Sequence, residues 1–335
     1  MDPSSIPAFL RPRVRLLDAD TPLERMRRVE AAVGHDGLWV KRDDCMPLGL
    51  GGNKLRSLEF WMGEALEQGA DIVLVAGQPA SNQCRLTAAA AAKLGLDCLV
   101  LHNADEPQRD EGNLLLSRLM GASLRFLGPV DEDERARRVR EAAEELRRQG
   151  RRPYIVGEPV TGALGYVVAA LELHGQAERA GADLRHVVLP GSMGPTEAGF
   201  LFGCALLGRP FEVHLVSVEY AVPELLERIT RIFEGLVART GMAPAGDWRE
   251  WTLAHDNQLG AGYAVPTEEA LAALRTFARL EGLFLETTYT GKTFAGLLRL
   301  VRDGIIPASE AACCLHTGGV PALFAQPGAA EAGRS

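Results

Sequence analysis

A glycine pair followed by a lysine forms the most chemically suggestive segment of this chain. Lys54 comes directly after Gly51, Gly52 and Asn53, and an amphipathic run over residues 55–66 follows it. A lysine at a helix start lies beside backbone N–H groups and the positive end of the helix dipole, which lower its pKa and favour the neutral amine that attacks a carbonyl. Glycines also let a flat ring approach the backbone closely. The segment predicts a lysine that forms a Schiff base with pyridoxal phosphate, and a surface lysine just inside a helix is the alternative.

A small-residue turn after the apolar sequence HVVLP predicts an anion site. Residues 190–203 read PGSMGPTEAGFLFG, so a strand, a turn and a helix start succeed one another. Such a turn gathers free backbone N–H groups around one point, which suits a phosphate monoester. The segment is neither a Walker A loop nor a clean GxGxxG, which disfavours a nucleotide and leaves a tight turn without a ligand as the alternative. The residues expected to form the cradle are Gly191, Ser192, Met193, Gly194 and Thr196.

A second strand-to-helix turn, GQPASNQCR at residues 77–85, carries the polar side chains Ser81, Asn82 and Gln83. Polar side chains at a helix N-terminus can hold a substrate carboxylate, and an asparagine can hydrogen-bond a phenolate oxygen. The alternative is plain N-capping of the helix by Ser81. The turn is therefore a candidate substrate site or a simple helix start.

Two tyrosines and a threonine complete the set of candidate site residues. Tyr263 and Tyr289 lie in glycine-flanked segments, and each is a candidate general acid or base or, alternatively, a core tyrosine with a satisfied hydroxyl. The sequence LHTGG at residues 315–319 predicts an apolar strand that ends at two glycines. We expect His316 to be packed at that strand end and Thr317 to point at a bound ligand.

A sheet whose strand ends converge would bring these segments together. Short β-rich runs alternate with longer helical patterns, which indicates βαβ units and a mostly parallel sheet with helices on both faces. Ser81 or Asn82, and later Thr267, are the expected helix N-caps. The predicted strands cover residues 72–75, 98–101, 124–127, 154–156, 187–189, 212–218, 284–288 and 313–316.

Length and charge limit the classes of partner. The 335 residues suffice for two domains, and the formal net charge of −8 argues against nucleic acid or an anionic membrane. No apolar run approaches the ~18 residues that span a bilayer. The arginine-rich run at residues 131–152 interleaves acidic residues at helical spacing, which predicts a solvated helix face. The N-terminal residues lack the apolar stretch of a secretory signal, so we expect a cytoplasmic protein.

Cysteines and histidines indicate neither a disulfide framework nor a metal. The six cysteines show no CxxC spacing and lie mostly in apolar surroundings, which predicts reduced core thiols. The seven histidines show no HExxH or paired metal-ligand spacing, so no structural or catalytic metal is expected.

Five motifs together resemble one family of pyridoxal-phosphate enzymes. They are KRDDC with GGNKLRSLEF, SNQCR, GSMGPTEAG, TTYTGKT and HTGGVPALF, and they occur in the family's order and spacing from about Leu23 to Phe324. The chain is similar to the D-cysteine desulfhydrase and 1-aminocyclopropane-1-carboxylate deaminase group, which shares the fold of the tryptophan synthase β subunit. The resemblance implies an α/β protein of fold type II, with mostly parallel sheets in three-layer αβα arrangements.

The resemblance also implies roles around the cofactor, pyridoxal 5'-phosphate. Lys54 would be the Schiff-base lysine, Asn82 would hydrogen-bond the phenolate oxygen, and the cradle at residues 191–196 would hold the phosphate. Thr317 would face the pyridine nitrogen. A hydroxyl partner leaves that nitrogen largely unprotonated, so the ring is a weaker electron sink, which favours prompt loss of a β-leaving group over transamination.

The substrate is expected to be a small amino acid. Ser81 would lie at its carboxylate, and Tyr289 and Tyr263 would line its pocket. The expected reaction is α,β-elimination of a β-substituted amino acid such as D-cysteine, giving pyruvate, ammonia and sulfide. Lys54 or a pocket tyrosine would take the Cα proton.

Three departures from the family pattern bear on substrate identity. Thr290 stands where the cyclopropane deaminases carry a glutamate, which disfavours ring opening. Ala80 and Gln83 stand where desulfhydrase-like members read Gln and His in QSNH, so polar contacts beside the carboxylate are lost. The phosphate loop is one residue longer, with Met193 and Pro195 in place of small residues, but its cradle depends on backbone N–H groups.

Two domains and several alternative activities follow. The expected large, cofactor-binding domain combines residues 1–45 with 161–335, residues 46–160 form the small domain, and the cofactor lies in the cleft between them.

A cytoplasmic homodimer is expected, as is common in the family. Alternatives on the same fold are a cysteate sulfo-lyase, a β-replacement synthase, a racemase and a cyclopropane deaminase. A binding protein that has lost catalysis is the alternative from a different class.

Overall fold

The strands of this protein form two separate sheets. The structure, a computed structural model, describes residues 8–244 and 246–325. Residues 1–7, part of the segment that predicts the lack of a secretory signal, lie outside that description. Within the described residues the strands are β1 (Leu23–Arg25), β2 (Leu38–Arg42), β3 (Ile72–Gly77), β4 (Asp97–His102), β5 (Ser123–Phe126), β6 (Pro153–Ile155), β7 (Leu184–Gly191), β8 (Glu212–Ser217), β9 (Thr252–His255) and β10 (Ala311–His316).

The sheets are mostly parallel, as the alternating pattern predicts. The larger sheet has the order β1-β2-β10-β7-β8-β9, and β1 pairs with β2 in antiparallel fashion while its other pairs are parallel. The smaller sheet has the order β5-β4-β3-β6 and is parallel throughout. Parallel neighbours require crossover connections, which helices supply here. The smaller sheet uses strands between residues 72 and 155, and the larger uses strands on both sides of that stretch.

Helices connect and cover these strands. None of those in the described residues combines the length and apolar character that a membrane span requires. Short 3₁₀ turns cover Ala8–Leu10, Asp43–Cys45, Leu48–Leu50 and Trp248–Trp251. The α-helices are α1 (Arg27–Val33), α2 (Lys54–Glu67), α3 (Asn82–Leu94), α4 (Gly112–Leu119), α5 (Glu132–Arg148), α6 (Pro159–Ala180), α7 (Pro195–Leu206), α8 (Val222–Thr240), α9 (Glu268–Glu281), α10 (Thr290–Arg302) and α11 (Val320–Leu323).

Alternation along the strands of the larger sheet produces its three layers. Val187 points to one face and packs in a core with Phe200 of α7, together with residues of α6 and α8. Val188 points to the other face and packs with Phe294 of α10 and Phe277 of α9. Successive strand side chains alternate between faces, so a strand covered on both sides is apolar at nearly every position.

The smaller sheet is covered in the same way. Val73 packs with Leu58 of α2 and with residues of α3, whereas Leu74 faces Val139 of α5 on the opposite side. Helix α2 contacts both halves of the molecule, because Phe60 belongs to the core of the larger sheet. The helix that begins at Lys54 therefore lies between the two sheets.

Seven of the eight predicted strands are confirmed, but the one at residues 284–288 is wrong. That segment is irregular and turns into α10. The carboxylate of Glu286 accepts the backbone N–H groups of Thr288, Tyr289 and Thr290, at 2.6–2.7 Å. A local side chain that satisfies the backbone in this way competes with strand pairing.

The sequence also missed strands β1, β2 and β9. Strands β1 and β9 are short edges of the larger sheet with mixed polarity, so they lack a clear periodic signal. Strand β2 ends in two charged residues, Lys41 and Arg42. Lys41 is nonetheless only 1% exposed, because its ammonium group pairs with the carboxylate of Glu172 on α6.

A buried ion network holds α2 against the larger sheet. Arg56, on the first turn of α2, donates two hydrogen bonds to the Asp43 carboxylate at 2.9 and 2.8 Å. It also bonds to Glu172 at 2.7 Å, and Tyr166 donates to Asp43 at 2.7 Å. The arginine and aspartate side chains are 2% and 0% exposed. Charges buried this deeply are stabilised only when every hydrogen-bonding and charged partner of the network is present.

We predict that Arg56→Met strongly destabilises the protein, because it leaves the Asp43 carboxylate buried without its cation, whereas Glu172 keeps Lys41. Breaking a buried pair by removing one partner costs about 3–5 kcal/mol. The control is Arg137→Met on α5, whose ion pairs with Glu134 and Glu141 are exposed and worth little. Denaturant unfolding measures both variants, and equal midpoints for the two would contradict the prediction.

Candidate active site

Backbone hydrogen bonds bring three of the predicted segments together at Lys54. Lys54 is the first residue of α2, and the preceding Asn53 donates its backbone N–H to the carbonyl of Thr317 at 2.9 Å. The Asn53 side chain donates to Thr196 Oγ1 at 3.2 Å. The N–H of Gly52 bonds to the Asp43 carbonyl at 3.0 Å. The lysine, the predicted phosphate turn and the end of β10 are therefore tied at one point.

Lys54 has a lowered pKa, as predicted, but the main cause differs from the expected one. Its side chain is half-buried, and desolvation by burial is the largest influence that lowers the pKa. The nearby carboxylates of Glu197 and Glu219 act in the opposite direction and raise it. Burial disfavours the charged ammonium form. The cleft therefore favours the neutral, nucleophilic amine.

The turn at residues 191–196, hereafter the anion loop, joins the end of β7 to the start of α7. Its Ser192 donates its backbone N–H to the carboxylate of Glu197 and its hydroxyl to the carboxylate of Glu219. Gly194 has a φ of 103°, a conformation that favours glycine, and it directly precedes the helix. The loop thus already donates to carboxyl oxygens beside a helix N-terminus, and donors in that position suit a phosphate monoester.

Met193 and the two glutamates show how the longer loop is accommodated. Met193 is 39% exposed, and its sulfur accepts a hydrogen bond from the Tyr220 hydroxyl at 3.2 Å. Glu197 and Glu219 were not identified from the sequence. Burial raises the pKa of both carboxyl groups, which favours their neutral forms and reduces their repulsion of a phosphate.

A cavity of about 400 Å³ lies beside these segments. Its volume is within the range of sites for small ligands. Asn82, Tyr263 and Tyr289 line it, together with Glu286 and Ala80. Of the residues predicted to contact substrate, Ser81 and Gln83 are not among its lining residues. Ser81 instead caps α3, accepting the N–H of Cys84 at 3.3 Å, which confirms the N-cap prediction.

A buried relay fixes the orientation of Asn82. The amide nitrogen of Asn113 donates to Asn82 Oδ1 at 3.0 Å, and Asn113 Oδ1 accepts from Arg85 Nε at 2.7 Å. Arg85 also donates to the Gly51 carbonyl at 2.9 Å. Because Oδ1 of Asn82 is already an acceptor, its Nδ2 is the group left to donate to a ligand oxygen. Neither Asn113 nor Arg85 was predicted to be part of the site.

Two glycines after β10 allow the close approach of these segments. A Cβ atom at Gly318 would lie 2.6 Å from the Cα of Gly52, and one at Gly319 would lie 3.1 Å from Asn82 Nδ2. Both residues have positive φ, of 93° and 87°. Thr317 precedes them and is buried, and His316 is fully buried at the strand end, as predicted. The backbone here is open enough for a planar ring to lie against it.

The two predicted tyrosines form a hydrogen-bonded pair. Their hydroxyl oxygens are 2.7 Å apart, and their rings meet edge to face. Burial raises the pKa of Tyr263 to about 12 and that of Tyr289 well above its ordinary value. Both hydroxyls are therefore protonated at neutral pH. The pair is suited to donating a proton, whereas a phenolate base at Tyr289 would be costly.

Two charged residues that the sequence did not single out position the tyrosine pair. Lys292 donates to the carbonyls of Leu259 and Gly262, at 2.8 and 2.9 Å, and so holds the loop that carries Tyr263. Glu286 accepts the N–H of Tyr289 at 2.6 Å and so fixes the start of α10. A signal was available in the sequence, because Lys292 belongs to TTYTGKT and Glu286 directly precedes it.

Together these groups fit a pyridoxal phosphate cofactor. The cleft offers an amine whose neutral form burial favours, a loop that donates to carboxyl oxygens, an oriented amide donor and a glycine-lined surface. Each matches one feature of that molecule, namely its aldehyde, phosphate, phenolate oxygen and flat ring. The match to the cofactor therefore depends on hydrogen-bond donors of this chain and on the burial of its reactive amine.

Comparisons with known proteins agree with the geometry. The pyridoxal-phosphate dependent enzyme family model matches residues 14–318. The chain is 37% identical to the D-cysteine desulfhydrase of Klebsiella pneumoniae (strain 342), over 94% of this chain and 96% of the relative. It is also 37% identical to the D-cysteine desulfhydrase of Serratia proteamaculans (strain 568), with the same coverage. A crystal structure of an ACC deaminase homologue superposes with a TM-score of 0.87, at 31% identity, covering 96% of each chain.

We predict that the cofactor-free protein reacts with added pyridoxal phosphate at lower pH than an ordinary lysine does. The rate should rise as Lys54 loses its proton and level off with a midpoint below 10.5, because burial lowers its pKa. Glu219→Gln should move the midpoint further down, since it removes a carboxylate that raises the pKa. Absorbance changes followed across pH measure this. A midpoint that rises in the variant would contradict the electrostatic assignment.

Proposed function

This chain belongs to the pyridoxal-phosphate dependent enzyme family, and from that premise we propose that it is a lyase acting on a small β-substituted amino acid, with D-cysteine as the leading substrate. The products would be pyruvate, ammonia and sulfide. The observation that carries the proposal is the tether at Asn53, which joins Lys54 to the anion loop and to the end of β10 beside one cavity. The identity of 37% to D-cysteine desulfhydrases over 94% of the chain supports the substrate.

Four groups would hold the cofactor. Lys54 would form the Schiff-base linkage, the anion loop would hold the phosphate, Asn82 Nδ2 would donate to the phenolate oxygen, and Thr317 would face the pyridine nitrogen. When bound, pyridoxal phosphate supplies an electron sink for negative charge at the substrate Cα. The support from this chain is the lowered pKa of Lys54, the donors of Ser192 and the fixed orientation of Asn82.

Proton movement would be divided between the lysine and the tyrosine pair. Lys54 Nζ, neutral because of burial, would take the proton from the substrate Cα. The pair of Tyr289 and Tyr263 keeps its protons at neutral pH, so it would donate one to the departing sulfur. The hydrogen bond between the two hydroxyls would stabilise the charge that develops on the donating tyrosine.

Substrate selection would occur at the SNQ turn and at α10. Ser81 and Gln83 flank Asn82 but do not line the cavity, so contact of either with the substrate carboxylate would require a rearrangement of this turn. Thr290 is fully buried, and its hydroxyl accepts the N–H of Glu286 at 2.8 Å. A longer acidic side chain at Thr290, as in the cyclopropane deaminases, would not fit that environment. This favours sulfide elimination over ring opening.

We also propose the domain division, assembly and location of the protein. Residues 46–160 would form the small domain around the smaller sheet, and residues 1–45 with 161–335 the large, cofactor-binding one. The strand membership of the two sheets supports this division. A cytoplasmic homodimer is the proposed form, and the six cysteines, all free, are compatible with a reducing compartment.

The decisive experiment is a substrate panel on the purified protein and on Lys54→Ala. D-cysteine should yield pyruvate and sulfide, whereas D- and L-cysteate, L-cysteine and 1-aminocyclopropane-1-carboxylate should react at least tenfold more slowly. Lys54→Ala should abolish turnover, and borohydride reduction followed by peptide mapping should label position 54 in the parent protein alone. Faster turnover of cysteate or of the cyclopropane would assign those alternatives. A labelled Lys54 without turnover on any compound would favour a binding protein.

We predict that Tyr289→Phe lowers kcat for D-cysteine by about 10²–10⁴-fold, the usual worth of a positioned acid or base. The variant should still bind the cofactor, because the tyrosine backbone and Glu286 are unchanged. The control is Tyr154→Phe, which removes a buried hydroxyl bonded to Glu64 at 2.8 Å in the core of the smaller sheet. Steady-state kinetics of the two variants separates a role in catalysis from a role in packing. Equal losses in both would refute the assignment.

A further inference from the structure

Three histidines form a row across adjacent strands of the larger sheet, away from the cavity. His186 lies on β7, His214 on β8 and His255 on β9. His186 Nδ1 is 3.1 Å from His214 Nε2, and His214 Nδ1 is 3.3 Å from His255 Nε2. His186 and His214 are 5% and 0% exposed. The chemistry proposed above uses none of these residues.

Strand register adds a carboxylate to the row. His186 is directly opposite Glu212 in the parallel pairing of β7 with β8. Glu212 and His214 are two residues apart on β8, so their side chains share one face of the sheet. Because residues directly opposite each other also share a face, His186 lies on it as well. The sheet itself therefore fixes the relative positions of these three residues.

The three nearest donor atoms have the spacing of ligands around one metal ion. His186 Nδ1, His214 Nε2 and Glu212 Oε1 are separated by 3.1, 3.5 and 3.7 Å. The in-plane point equidistant from three atoms at these separations lies ~2.0 Å from each, and an ion displaced slightly from that plane keeps the usual Zn–N and Zn–O distances of about 2.0–2.2 Å. Two imidazoles and a carboxylate are ligands that zinc accepts, with the fourth position left to water.

In His186 and in His214, the ring nitrogen that points away from Glu212 has a hydrogen-bond acceptor beside it. His186 Nε2 lies 2.9 Å from a carboxylate oxygen of Glu310, which precedes β10. His214 Nδ1 lies against His255 Nε2. A ligating histidine donates its other ring N–H to such a partner, which fixes the tautomer and strengthens the metal bond. With both outer nitrogens donating, the inner nitrogens that face Glu212 carry free lone pairs.

Charge and burial suit a dication at this position. Glu212 and Glu310 bring two carboxylates to the cluster, and each is about half exposed, so the site opens to solvent at one side. A bound dication would offset the two negative charges without requiring a charged imidazole.

We propose that His186, His214 and Glu212 bind a divalent transition-metal ion of the zinc class, with Glu310 and His255 orienting the two imidazoles. The ion would join the starts of β7 and β8 and stabilise the larger sheet. Gly191 of the anion loop is five residues further along β7, about 16 Å away at ~3.3 Å per residue. The site is therefore separate from the chemistry at Lys54 and does not depend on the proposed function.

The test uses the holoenzyme after dialysis against a chelator. Added Zn²⁺ alone should bind at one ion per chain, measured by metal analysis after gel filtration, and should raise the unfolding temperature. Glu212→Gln and His186→Gln should each abolish both effects. Glu310→Gln should weaken binding by roughly 10- to 100-fold, the usual loss when the hydrogen-bond partner of a ligand is removed. The matched control is His174→Gln on α6, which should bind as the parent protein does.

Glu212→Gln keeps the assay decisive, because its side chain is 44% exposed and its loss should not prevent folding. Unchanged cofactor absorbance would verify that each variant is folded. Binding of Zn²⁺ by the parent protein at less than one tenth of an equivalent would overturn the proposal and leave a histidine row without a metal. Equal binding by the parent and by Glu212→Gln would also overturn it, because the ion would then lie elsewhere.

Discussion

The buried pair of Arg56 and Asp43 is the constraint on which the cleft depends. Asp43 acts twice, since its carboxylate binds Arg56 on α2 and its backbone carbonyl accepts the N–H of Gly52, just ahead of Lys54. The segment between these two anchors has little freedom to move. Glu172 and Tyr166, both on α6, complete the network and join it to the larger sheet. The reactive amine is thereby held at a fixed point between two sheets.

Burial moves the ionisable groups of the cleft towards their neutral forms. It lowers the pKa of Lys54 and raises the pKa values of Glu197, Glu219 and Tyr289. A cleft with few permanent charges of its own interacts more strongly with a ligand that brings them, such as a phosphate or a carboxylate, because hydrogen bonds strengthen where water is scarce. The same dryness makes precise hydrogen-bond partners necessary, and Asn113 and Lys292 provide them for Asn82 and for the Tyr263 loop.

The two ends of the larger sheet have different chemistry. The carboxyl ends of β7 and β10 lead into the anion loop and into the Thr317 segment, where the glycines lie. Ligands in open α/β sheets bind outside such carboxyl ends, because the loops there carry free backbone donors. The starts of β7 and β8 carry histidines and glutamates on one face. That end has side chains suited to a cation.

Local chemistry made much of the site predictable. The GGNK segment, the anion loop and the SNQ turn each contain the residues that a helix start needs, and their helices begin where expected. Alternating apolar runs likewise predicted most strands of both sheets. The failure at residues 284–288 has a local cause, because Glu286 satisfies backbone groups that a strand would have paired.

The sequence by itself determined where the turns, helix starts and apolar strands lie, because those depend on neighbours only a few residues apart. Only the tertiary structure decided which side chains meet. Asn113 of α4 bonds to both Asn82 and Arg85 of α3. Glu219, after β8, reaches Ser192, after the neighbouring β7, and His186 meets His214 through strand register. These contacts join residues far apart in the chain, and sheet packing, which has no local signature, brings them together.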